Sequence, residues 1–211
     1  MSDHARSERQ ALADLLDEVG PDAPTLCGTW TTSDLVAHLV IRESDVVAAA
    51  GMVIGPLAGR TKATMDGLVH RLGYPQLVDR FRQGPPRWSL MRIAAIDEAA
   101  NTMEFFVHHE DVRRAQPGWE PREVSDAMEE ALWRRVTGPG RFLFRRCAVG
   151  LLVVRPNGST VRVRGGEPTA VLAGRPSELA LYMWGRKDVA RVETSGPDAA
   201  VEALAQAPLG F

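Results

Sequence analysis

The chain has 211 residues, 45% hydrophobic and 25% charged, an ordinary globular composition that suits one large domain or two small ones. A net charge of −2 with scattered basic residues excludes the electrostatic footprint of a nucleic-acid binder, and no run reaches the ~18 apolar residues that a membrane helix requires. The opening MSDHARSERQALADLL carries acidic residues where a secretion signal needs a positive start and an apolar run, so a cytoplasmic protein is expected.

In SERQALADLLDEV, residues 7–19, Leu12, Leu15, Leu16 and Val19 recur at helical spacing and Gly20 supplies a stop, which predicts an amphipathic helix. After GPDAPTLCGTW comes TTSDLVAHLVIRESDVVAAAG, where Thr31 precedes Asp34 by three residues as in a capping box with Asp in place of Glu. A second helix is expected there, ending near Gly51. TKATMDGLVHRLG and PQLVDRFRQG each predict a short helix, Pro85 and Pro86 break the chain, and a third long helix is expected from about Ile96 to Arg114. SDAMEEALWRRV, 125–136, predicts a fourth with Ser125 as cap, and Gly138-Pro139-Gly140 ends it.

Beyond residue 148 the period changes. VGLLVVRP and TVRVRG flank Asn157-Gly158, the signal of a hairpin with a type I′ turn. PTAVLAG predicts a third strand, SELALYMWGR a helix, ARVETSG a short strand and DAAVEALAQA a last helix. The expected fold is therefore α+β, a helical bundle over residues 1–145 followed by a small α/β domain over 146–211. Cys27 and Cys147 lie far apart and give no reason for a disulfide. Of the 25 basic residues only Lys62 and Lys187 are lysine, a bias of high-GC genomes.

The chemistry concentrates in NTMEFFVHHEDVRRA, residues 101–115. Side chains four apart share a helix face, so Glu104 lies beside His108, with Asn101 and Asp111 on the same stripe, while His109 is rotated away by ~100°. Met103, Phe106 and Val107 flank this stripe, and a carboxylate among apolar groups needs a cation, a donor or a metal. His38 sits in the stripe Leu35, His38, Leu39, Arg42, otherwise the core-facing side of the second helix. Two readings fit these residues. His38, Glu104 and His108 make a three-ligand set for a divalent ion such as zinc with one position open; alternatively Glu104 and His108 form a plain i,i+4 pair and His38 is a satisfied core histidine. Asp34 reads as a cap in preference to a partner of His38, and Asp111 either orients an imidazole or pairs with Arg113 or Arg114. Trp30 reads as a hydrophobic anchor, Cys27 as a buried structural thiol in preference to a residue lining the pocket entrance, and His4 and His70 as surface residues.

PTLCGTWTTSDLVAHLVIRE, EFFVHHEDVRRA and LALYMWGR together resemble the actinobacterial branch of the DinB-like metal-binding superfamily, in the group related to mycothiol-dependent maleylpyruvate isomerase. Trp30, Asp34 and His38 match a W-x-x-x-D-x-x-x-H segment, and Glu104 and His108 match E-x-x-x-H. The resemblance implies a four-helix bundle holding a divalent metal, usually zinc, through His38, Glu104 and His108, and a C-terminal domain of sterol-carrier type. It also implies a metal-activated thiol, mycothiol, serving a transferase or isomerase acting on a small molecule, with Arg186 as the anion-binding arginine of the C-terminal domain. The middle of this chain is richer in Gly and Pro, so the substrate-facing loops are expected to differ. The rival reading is a non-catalytic metal-binding or sensor module, and a bundle surface of this kind also suits a homodimer.

Overall fold

The computed structural model of the chain describes residues 3–44, 58–89 and 92–210. They divide into two compact units, residues 1–120 and 121–211.

The first unit is helical. It contains α1 (His4–Val19), α2 (Thr32–Ser44), α3 (Ala58–Leu72), α4 (Tyr74–Gln83) and α5 (Ala94–Arg113). Leu12 and Leu16 of α1, Leu35 and Leu39 of α2, Leu77 and Phe81 of α4 and Phe105 of α5 are fully buried in one core. These are the i, i+3, i+4 positions of each helix, so burying them sets which faces meet: α1 lies on α5 and α4, and α2 on α3 and α4. Gly73, at φ +75°, makes the turn between α3 and α4 that a side chain would resist. The expected end of the second helix near Gly51 lies outside the described residues.

The second unit joins α6 (Asp126–Thr137), a 3-10 segment (Pro139–Arg146), the strands β1 (Gly150–Val154), β2 (Thr160–Arg164), β3 (Thr169–Ala173) and β4 (Glu193–Ser195), and the helices α7 (Pro176–Met183) and α8 (Asp198–Gln206). The sheet order is β2-β1-β3-β4, with β1 parallel to β3 and the other two pairs antiparallel. The overall class is α+β, as expected. The division falls earlier than the expected 145/146, because α6 buries Leu132 and Val136 and packs on α7, the 3-10 segment and β2. Amphipathicity shows that a helix buries a face; it does not show against what.

Two local signals had different outcomes. Ser125 caps α6, its side chain accepting from the Met128 N–H at 3.3 Å. The Asn157-Gly158 hairpin forms, yet only Gly158 has positive φ, at +83°. Its N–H donates to the Arg155 carbonyl at 2.9 Å, and Arg155 N–H donates to the Ser159 carbonyl at 3.1 Å. The loop is thus a turn closed by a left-handed glycine, not a type I′ turn. Among the described residues no helix is long and apolar enough to cross a membrane.

Candidate metal centre

The α2 stripe of Leu35, His38, Leu39 and Arg42 faces the α5 stripe of Asn101, Glu104 and His108. Asp34 fixes the start of α2, its Oδ2 accepting from the Thr31 N–H at 3.0 Å and the Thr31 hydroxyl at 3.1 Å. It therefore caps the helix, as its spacing suggested.

Between the helices the three singled-out side chains converge. Glu104 Oε1 stands 3.3 Å from His38 Nε2 and 3.3 Å from His108 Nε2. The two imidazole rings are 5.2 Å apart, edge to face. All three residues are buried, at 7%, 9% and 5% exposure for His38, Glu104 and His108, and one donor atom from each lies within 4.8 Å of the others. Arg42 adds its Nε at 3.2 Å from the same carboxylate oxygen. Glu104 thus meets two imidazoles and a guanidinium, more than the plain i,i+4 pair that was the alternative.

Around this core, His108 Nδ1 lies 2.9 Å from Asp111 Oδ2, which also accepts from the Cys27 thiol at 3.1 Å. Arg113 and Arg114 pair instead with Glu110. Cys27 is half-buried rather than buried, and it is part of a second possible donor cluster, Cys27, His108 and Asp111. The Trp30 ring lies 5.1 Å from that of His38, so its anchoring role brings it against an imidazole. His109 faces the other way, its Nδ1 3.0 Å from Glu8 Oε2 of α1, which accounts for the histidine doublet. His70 is exposed and His4 half-buried. Arg186 belongs to the second unit, half-buried just beyond α7, with Nη1 donating to the Trp184 carbonyl at 2.6 Å.

The electrostatics follow from burial and neighbours. Burial opposes the charge of Glu104, but the contacts from His108 and His38 and the Arg42 charge outweigh it and hold the carboxyl well below its ordinary range. Burial would also lower His108, yet Asp111, Cys27 and Glu104 prevail and hold it well above its ordinary value. For His38 burial wins and lowers it. Two carboxylates, Glu104 and Asp111, against one guanidinium leave the surroundings negative whenever the imidazoles are neutral.

The donor set fits a divalent ion. Two imidazole nitrogens and a carboxylate oxygen are the ligands of open zinc sites, and at metal–ligand distances of about 2.0–2.1 Å tetrahedral neighbours stand about 3.3–3.4 Å apart. Both His–Glu separations match that edge. His108 also has the outer carboxylate that orients a ligating imidazole. His38 does not: among the described residues its buried Nδ1 has no hydrogen-bond partner.

One buried network had no signal in the sequence. Arg9 of α1 forks onto Glu43 of α2, both contacts at 2.6 Å, and reaches Asp97 at 3.2 Å. Asn101 Nδ2 donates to Glu43 at 3.1 Å and to Asp97 at 2.6 Å, while its Oδ1 accepts from Arg42 Nη1.

No family model and no curated protein sequence matches this chain. Among solved structures it is similar to a mycothiol-dependent maleylpyruvate isomerase, with TM-score 0.54 and 17% identity over 90% of this chain and 88% of that one. It is also similar to a histidine-to-alanine variant of such an isomerase, with TM-score 0.53 and 16% identity over the same shares of each chain. At this identity the likeness shows a shared fold.

Proposed function

We propose that His38, Glu104 and His108 hold a divalent ion, zinc by donor type, and that the protein is a metal-dependent transferase or isomerase using a low-molecular-weight thiol, mycothiol. The observation that carries the reading is the pair of 3.3 Å separations between one carboxylate oxygen and two imidazole Nε2 atoms on facing buried helices. The mycothiol-dependent neighbour of the same fold supports the choice of thiol. The finer fold proposed is a DinB-like bundle followed by a sterol-carrier-like domain, in a cytoplasmic protein.

A bound divalent cation would lower the pKa of a thiol beside it and favour the thiolate nucleophile at neutral pH. The chain's own residues prepare for this. Asp111 holds the Nδ1 side of His108, which turns Nε2 toward Glu104. Trp30 backs the His38 ring, and Arg42 holds positive charge at the edge of the site. Arg186 is assigned the binding of an anionic substrate or cofactor group.

The test combines elemental analysis of the wild type, His38→Ala and His108→Ala with thiol-conjugation turnover before and after chelation. Bound metal in the wild type alone, with chelator-sensitive turnover, is expected; turnover indifferent to metal removal overturns the enzyme reading. In thermal melts, stabilisation by zinc plus mycothiol beyond zinc alone is expected of the enzyme, whereas stabilisation by zinc alone indicates the non-catalytic module.

A further inference from the structure

We infer that Arg42 is the positioning residue of Glu104: it fixes which carboxylate oxygen faces the two imidazoles, and it is itself fixed through Asn101, Glu43 and Arg9. The inference rests on the metal reading above and assigns a role that the donor set alone does not contain.

Glu104 Oε1 has three close neighbours, the Nε2 atoms of His38 and His108 at 3.3 Å and Arg42 Nε at 3.2 Å. The two imidazole contacts run through the atoms that would serve as donors to an ion. A nitrogen that gives its lone pair to a cation carries no hydrogen for the carboxylate, so neither contact can orient Glu104 in the loaded protein. The Arg42 contact draws on neither imidazole nitrogen; it faces the carboxylate oxygen itself, which has a second lone pair to spare, and so it survives loading. Among the described residues it is the contact that can then hold the carboxylate against rotation about its terminal bond, a broad torsion with little preference of its own.

Arg42 can do this because its guanidinium is gripped elsewhere. Nη1 donates to Asn101 Oδ1 and Nη2 to the Ala100 carbonyl at 3.1 Å. The amide of Asn101 has one workable orientation, since its Nδ2 already serves Glu43 and Asp97 and only Oδ1 is left to face Arg42. Glu43 is held by the fork of Arg9. Arg9 in turn donates to the Phe81 carbonyl at 3.2 Å and lies over the Phe105 ring at 4.7 Å. The chain therefore starts in the apolar core and ends on the ligand oxygen, and its inner members, Arg9, Glu43 and Asn101, are all buried. The spacing fits as well: Arg42 is one turn beyond His38 on α2, and Asn101 one turn before Glu104 on α5.

A cation merely placed near the site would have the opposite effect, since it repels a divalent ion. The sign of the affinity change separates the two roles. Zinc affinity is measured by chelator competition on the full-length wild type, Arg42→Lys and Arg42→Gln, with metal-free melts run beside them. Positioning predicts that both variants bind zinc about 10–100-fold more weakly, because lysine keeps the charge and loses the fork. Wild-type affinity in Arg42→Lys, or tighter binding in Arg42→Gln, overturns it. Cobalt supplies a second readout that neither overall stability nor charge alone should move. Positioning predicts weaker visible absorption in Arg42→Lys than in wild type, as a carboxylate freed to use both oxygens raises the coordination number; identical spectra overturn the inference even where a melt shifts. If the wild type binds neither zinc nor cobalt, the metal reading itself has failed; if it binds both and Arg42→Lys matches it, only the positioning role has failed.

Discussion

Replacing Arg9 with methionine tests whether the polar network between α1, α2 and α5 is a true interior structure. Arg9 and Glu43 side chains are 6% and 3% exposed and meet through two 2.6 Å contacts, with Asp97 at 3.2 Å on the same guanidinium. Removing the guanidinium leaves two carboxylates sharing the amide of Asn101. Breaking one side of a buried pair costs about 3–5 kcal/mol, because a charge stays behind without compensation. With urea slopes of about 1–3 kcal/mol/M, the midpoint should fall by roughly 1–5 M. Methionine is chosen because it refills the space against Phe81 and Phe105, so a packing defect contributes little. The assay is urea unfolding of the wild type, Arg9→Met, Glu43→Leu and the double variant. The double variant is expected to recover a large part of the loss, since an apolar pair of similar volume often matches or exceeds a buried ion pair. A loss below about 1 kcal/mol, the range of exposed pairs, or simple additivity of the two single losses would refute the reasoning.

Other outcomes follow from the same coordinates. Asp111→Asn should weaken zinc binding about 10–100-fold in chelator competition, as loss of an imidazole's outer carboxylate does elsewhere. Zinc uptake should release close to one proton near neutral pH: His108 is held well above its ordinary value and is protonated without metal, whereas His38 is lowered and already neutral. Apparent affinity should therefore rise with pH by about tenfold per unit until His108 deprotonates, and calorimetry in buffers of different ionisation enthalpy reads the number directly. His109→Gln should leave zinc affinity unchanged while costing about 1–3 kcal/mol in urea, because its partner is Glu8 on α1 and not the donor set. Glu129→Ala should lower the stability of the second unit by about 1–3 kcal/mol, since its carboxylate accepts from both the backbone N–H and the hydroxyl of Ser177 at the start of α7.

The convergence of His38, Glu104 and His108 was legible because helix periodicity is rigid. Glu104 and His108 four apart, and His38 within an otherwise apolar stripe, fix three directions once two helices face each other. Asp34 as cap and Ser125 as cap were legible for a similar reason, being contacts within a few residues. The network of Arg9, Glu43 and Asp97 was not, because charged residues on a helix read as solvent-facing until a partner helix covers them. Cys27 was read as buried and is half-buried, because its environment is set by Asp111, 84 positions away. The packing partners of α6 were not legible, because its apolar face is equally consistent with a bundle and with the α7 and β2 it meets. At the hairpin, Asn157-Gly158 fixed the place of the turn, while the intervening Arg155 and Pro156 decided its kind.

The two imidazoles are unequal in a way that gives the site a direction. His108 is tethered on both ring nitrogens, to Glu104 and to Asp111. His38 is tethered on one, and among the described residues its other nitrogen is enclosed without a companion. Turning the His108 ring over would sacrifice two anchors; turning that of His38 sacrifices one and offers its idle nitrogen in exchange. An ion held here would therefore enter and leave by the α2 side swinging, with α5 as the fixed jamb of the door.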